Sequence, residues 1–159
     1  MTEDARFEDG VERPLRLLAE DAEDLTVIST LVQDAVLPAN EMRWEKGRRR
    51  FSCLINRFRW EDKAVAERQG RGVERVQALL VIDDVMKVGQ QGLDARDAAT
   101  VLSLLSLGFE PGEDGTGRLV MTFAGDGAVA LDVEAINVVL QDVTRPYLAP
   151  AGTSPSHLE

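Results

Sequence analysis

Apolar positions along the chain fall into two regimes, a short helical one near the N-terminus and a long alternating one after it. Leu15, Leu17 and Ala19 alternate with Arg16 and Leu18 and predict a short strand. Asp21 then offers an N-cap, Glu23 and Asp24 make the next turn acidic, and Leu25, Ile28 and Val32 recur at helical spacing with Leu31 beside them. A helix starts there, and Pro38 bars a long extension. From Asp34 to Asp132 strand signals dominate. Glu41 to Glu45 reads as a strand, Lys46-Gly47-Arg48 as a turn, and Arg49 to Trp60 as a longer strand. Its apolar set switches parity between Ile55 and Phe58, which predicts a bulge near Asn56 or Arg57. The charged stretch from Glu61 to Gly72 ends in Gly-Arg-Gly and reads as a mobile loop, a lid or partner loop. Val76, Ala78, Leu80 and Ile82 alternate, and Asp83-Asp84 marks a tight turn or bulge before Val85, Met86 and Val88. Thr100 to Phe109 is apolar on both parities, as in a central strand buried on two sides. Leu119, Met121 and Phe123 lead through Gly125-Asp126-Gly127 to Val129 and Leu131, a hairpin. Asp132 caps a last helix on Val133, Ile136, Leu140 and Val143, with Pro146 as its stop.

These elements predict an α+β fold, a predominantly antiparallel, strongly bent sheet or partly open barrel with an amphipathic C-terminal helix. That order of elements is pleckstrin-homology-like, with a short N-terminal strand and helix added; a generic antiparallel sheet with helices on one face fits the pattern too. The 159 residues suit a single globular domain over 14–147, with an acidic disordered arm at 1–13 and a flexible tail at 148–159. The acidic N-terminus lacks the basic-then-apolar pattern of a secretory signal, and no apolar run is long enough to span a bilayer. With a single cysteine, Cys53, no internal disulfide forms, and the expected setting is a reducing cytoplasm.

Charge changes this picture by its distribution. The net charge is -10, yet residues 43–75 hold 11 of the 18 basic residues and 5 of the 28 acidic ones. Trp44, Phe51, Phe58 and Trp60 are interleaved with Arg43, Arg48, Arg49, Arg50, Arg57 and Arg59 in the same segment. Such a strip suits phosphates and planar ligands, but in an acidic chain it more often meets the protein's own carboxylates or another subunit, and the overall charge argues against nucleic acid.

Candidate chemistry is sparse. The sequence holds neither a G-x-x-x-x-G-K-[ST] nor a G-x-G-x-x-G motif, so no cofactor is expected. One cysteine and one histidine, His157, make neither a zinc site nor a nucleophile pair. Asp83-Asp84, Asp21 with Asp24, and Asp132 with Glu134 are the carboxylate pairs open to acid/base or Mg²⁺ duty, each with a simpler role at a helix start or turn. Glu113 and Asp114 lack a calcium-loop pattern.

Four stretches taken together, AEDAEDLTVISTLVQDAV from Ala19, NRFRWE from Asn56, VLSLLSLGFEP from Val101 and FAGDGAVALDVEAI from Phe123, resemble a family of small uncharacterised proteobacterial proteins, domain of unknown function 2948. The resemblance runs from about Leu15 to Val143 and implies one domain, with no activity or site residues attached.

The expected function is that of a non-enzymatic binding or adaptor domain. Its partner is a protein or a second copy of the chain, held by a basic/aromatic strip of Arg48, Arg49, Arg50, Arg57, Arg59, Trp44 and Trp60. The alternative is a small enzyme or ligand-binding protein with a pocket inside the bent sheet, using carboxylates such as Asp83 or Asp84.

Overall fold

A computed structural model describes residues 14–93 and 100–148. It opens with β1 (Arg16–Ala19) and α1 (Ala22–Leu31). Asp21, in extended backbone, accepts the Asp24 amide on its side chain at 2.8 Å, the cap the sequence predicts. There follow β2 (Ala35–Pro38), β3 (Met42–Glu45), β4 (Arg50–Phe58) and a short helix α2 (Lys63–Arg68). The rest is strand: β5 (Glu74–Ile82), β6 (Val85–Gln91), β7 (Val101–Pro111), β8 (Gly117–Phe123), β9 (Ala128–Val133), β10 (Val138–Asp142) and β11 (Tyr147–Leu148).

All strands join one antiparallel sheet, whose neighbours run β1-β10-β5-β4-β2-β7-β8-β9-β6. β3 shares β4 with β2, and β11 continues the edge of β5 that β10 occupies. The sheet is not closed, since β1 and β6 end the path. It curls strongly, because two residues, Asp83 and Asp84, carry the chain from β5 to β6, which lie far apart in that order. Inward residues from every part of the path meet in one core, among them Ile55, Leu80, Leu104, Met121, Phe123, Leu131 and Leu140. α1 packs on β1 and β7 and sends Leu25 and Ile28 into that core. Ser29 Oγ accepts the Leu107 amide at 2.9 Å, where β7 has run past β2 and its amide would otherwise be an unpaired donor.

Four expectations need correction. Residues 133–143 do not form a helix: β9 runs to Val133 and β10 begins at Val138. The apolar residues there fit a helical period, but Val138 and Leu140 also fit a period of two, both are fully buried, and β10 gains ladders to β1 and β5 on both edges. The helix that motivated the pleckstrin-homology-like comparison is therefore replaced by a central strand. β4 has no bulge at Asn56 or Arg57, since its register with β5 is regular from Phe51↔Ile82 to Phe58↔Arg75. Arg57 simply occupies an inward position. Residues 61–72 hold a 3₁₀ turn (Trp60–Asp62) and α2 in place of an irregular loop. Finally, β7 is apolar on both parities because its register shifts between Leu104 and Ser106, which leaves Leu105 outward and 41% exposed and returns Leu107 to the core. Of the expected tail only Leu148 is described, and it ends β11; residues 1–13 and His157 lie outside the described residues.

Candidate docking face

The basic segment resolves into three groups of arginines, each with its own carboxylates. Arg57 is fully buried. Its Nε and Nη2 donate to the two oxygens of Asp142 at 3.0 and 2.9 Å, and its Nη1 and Nη2 donate to Glu61 at 3.0 and 2.7 Å. Nη1 also donates to the Phe58 carbonyl at 3.0 Å, so all five guanidinium N–H groups are engaged. Burial alone would lower the pKa of Arg57, and the two carboxylates more than reverse it. Burial likewise pushes the Glu61 carboxyl up, but hydrogen bonds and charge from Arg57 hold it below the usual glutamate range. This cluster ties β4 and the turn after it to β10.

A second group, Arg59 and Arg71 with Asp62 and Glu74, fastens the α2 segment to the start of β5. Arg59 is ion-paired with Glu74 and lies 3.5 Å from Asp62, and Arg71 reaches Asp62 at 2.7 Å. Trp60 adds an indole N–H bond to the Gln33 carbonyl at 2.9 Å, with its ring 5.5 Å from that of Phe58.

The third group lies at the corner where the β5–β6 and β9–β10 connections meet. Arg50 donates from Nε to Asp83 at 2.8 Å, and Arg49 is ion-paired with Glu134. The Asp83 amide bonds to the Asn137 carbonyl at 2.9 Å and the Glu134 amide to the Asp84 carbonyl at 3.0 Å, so the crossovers β5–β6 and β9–β10 are stitched to each other. Arg49 adopts a left-handed conformation at φ 56, and its carbonyl accepts the Val85 amide at 2.9 Å.

Of the strip read from the sequence, Arg57 is thus interior, Arg59 is paired with Glu74, Arg49 and Arg50 make ion pairs at the surface with Glu134 and Asp83, and Trp44 packs on the core beside its cross-strand partner Phe51. Arg48, with its side chain 72% exposed and 3.9 Å from Glu45, remains at the surface. The carboxylate pairs are likewise occupied: Asp83 by Arg50, Asp84 by Asn137 at 3.3 Å, Asp132 by Arg118 at 3.1 Å, and Asp21 as the α1 cap. Cys53 is buried, which pushes its thiol up to about 12, with Glu41 contributing, so it stays protonated at neutral pH.

What the sequence reading missed lies on the outer face of the other strands. In register across the sheet, Leu18, Val139, Val81 and Ser52 form one outward row, and Gln141, Leu79 and Leu54 the next. Gln77, Asn56, Val36 and Ser103 form a third. These rows contain no charged residue, in a chain where 29% of residues are charged. An antiparallel sheet with one face in water normally carries polar and charged side chains there. Here that face keeps Leu18 46% exposed and continues to Val101 at 64%, over a shallow concavity of about 350 Å³ between Val36, Leu54, Asn56, Gln77 and Val101. Charge borders it as Arg16 beside Gln141, Arg43 beside Ser52, the Arg50–Asp83 pair one step beyond Ser52 on β4, Arg75 one step beyond Gln77 on β5, and Glu41 at the edge of the concavity. The signal was present in the sequence as Leu79, Val81 and Val139, aliphatic residues on the parity opposite the core.

The fold and this face define a class: a small domain of one curled antiparallel sheet with two short helices, carrying an uncharged aliphatic surface. Residues 15–157 match the family described as "Protein of unknown function (DUF2948)", and the chain belongs to that family. No curated protein and no solved structure matches it significantly. Among the described residues no helix is long and apolar enough to cross a membrane.

Proposed function

We propose that the chain is a cytoplasmic, non-enzymatic binding or adaptor domain. Its surface is the uncharged outer face of β1, β10, β5, β4 and β2, and its partner is a protein presenting aliphatic side chains bordered by carboxylates. The supporting observation is the composition of that face: Leu18 exposed and Val36, Leu54, Leu79, Val81 and Val139 half-buried on the outward side, bordered by Arg16, Arg43, Arg50 and Arg75 and by Glu41. Contiguous exposed apolar surface with a polar border is the mark of an interaction site, and arginines at the rim favour an acidic border on the partner. The basic/aromatic strip supports the same class of function less well, because most of its arginines already pair with the chain's own carboxylates; Arg48 is the most exposed of them. The pocket reading has less support still, since the inside of the sheet is packed with side chains and its buried carboxylate, Asp142, is bound by Arg57.

A photo-cross-linking residue at position 79 or 139, compared with one at position 48, tests this in cells producing the protein. Discrete heavier adducts from 79 and 139, and none from 48, are expected. Adducts from 48 alone would return the site to the arginine strip.

A further inference from the structure

The other half of the sheet has an outer face of a different kind. Across β7, β8, β9 and β6 the registers align Glu110, Arg118, Asp132 and Lys87 in one row, charges alternating strand by strand. The next row is Gly108, Val120, Ala130 and Gly89, and the one beyond it Ser106, Thr122, Ala128 and Gln91. Over β6 and β9 this face carries a shallow trough of about 280 Å³, floored by Gly89, Ala128 and Ala130 and walled by Lys87, Arg118 and Asp132. Glycine within a strand weakens it and marks a place where another backbone comes close. Neither Gly89 nor Gly108 is there for the fold's own sake, because a Cβ on either would meet nothing within 4 Å.

We infer that this face is a homodimer interface, in which a second copy of the chain packs its β7-β8-β9-β6 face on the same face of the first. A two-fold axis lying between the sheets and parallel to the strands reverses the strand order while keeping each row level with itself. Glu110 then opposes Lys87 of the other copy, and Arg118 opposes Asp132 of the other copy, so every charge in the row meets its opposite. Under the same operation Val120 faces Ala130 of the other copy and Gly108 faces its Gly89, so the row meets only small side chains. Such a pairing is isologous, and aligned sheet-on-sheet packing tolerates it. At ~4.8 Å between strands and ~3.3 Å per residue, four strands by six residues cover on the order of 400 Å² of flat sheet per copy. That is about 800 Å² in total, below the standard range, so only a weak, reversible dimer is expected. The inference is independent of the docking face proposed above, which uses the opposite half of the sheet.

Sedimentation equilibrium of the full chain from about 5 μM to about 1 mM tests it. The wild-type mass should rise with concentration from 17.5 kDa toward the dimer value. Gly89→Val should weaken association by about tenfold or more, because a side chain on the trough floor holds the sheets apart, while its Tm stays level or rises. Lys87→Glu should weaken association about tenfold, and Lys87→Glu with Glu110→Lys should recover most of that loss, since the reversed charges again face their opposites. A wild-type chain that stays monomeric throughout overturns the inference. So does a dimer whose Kd neither Gly89→Val nor Lys87→Glu changes.

Discussion

Arg57 shows how far a residue's environment can depart from its type. An arginine between Asn56 and Phe58 in a basic stretch reads as surface, yet it lies on the same parity as Phe51, Cys53 and Ile55 and follows them inward. Its carboxylates are 4 and 85 positions away, and only the nearer, Glu61, was visible as a neighbour in sequence. Breaking a buried ion cluster by removing one member leaves the others uncompensated, so Arg57→Ala should destabilise the fold by about 3–5 kcal/mol in urea unfolding. Replacing the group together, as Arg57→Met with Glu61→Leu and Asp142→Leu, should recover most of that loss. The same cluster sets a pH dependence. Glu61 binds its proton less readily folded than unfolded, so its contribution is complete above the unfolded glutamate pKa of about 4.3 and is lost as pH falls through the lower folded value. Thermal unfolding followed downward from pH 6 should show Tm falling as the pH drops below about 4.5, with a shallower fall in Glu61→Gln.

At the scale of elements, what could be read from the sequence depended on whether local pattern and long-range pairing agreed. The cap at Asp21, the α1 face of Leu25 and Ile28, and the turn at Gly125-Asp126-Gly127 are set by neighbours in sequence, and each stands as expected. Residues 133–143 satisfy two periods at once, and nothing local says that β1 and β5 wait on either side. The topology was hidden for the same reason: β6 follows β5 after two residues and pairs with β9 instead. The strand assignment has a direct check. Leu18 and Val139 are cross-strand partners on the same outward face, close enough for a disulfide. The variant Leu18→Cys with Val139→Cys should oxidise to an internal crosslink, leaving buried Cys53 as the sole free thiol on denaturation. Persistence of three free thiols after mild oxidation would contradict the strand.

For the whole molecule, charge and apolar surface are separated in an unexpected way. Within the basic segment, Arg57 ties β4 to β10, Arg59 and Arg71 join the α2 segment to β5, and Arg49 and Arg50 pair at the surface of the corner between β5–β6 and β9–β10. The candidate surface was half legible, as aliphatic residues on the second parity of β5 and β10; that neither helix among the described residues packs on β10, β5 or β4 follows only from the assembled sheet. The measurement that bears most directly on this account is co-purification of the chain from the cells that produce it, comparing wild type with Leu54→Lys plus Val139→Lys and with Arg48→Glu. Lysine at these half-buried outward positions can extend its amine to water, so Tm should stay within a few degrees of wild type. The account predicts a stoichiometric partner that is lost from the double-lysine variant and kept by Arg48→Glu. A partner kept by the double-lysine variant and lost from Arg48→Glu would contradict it.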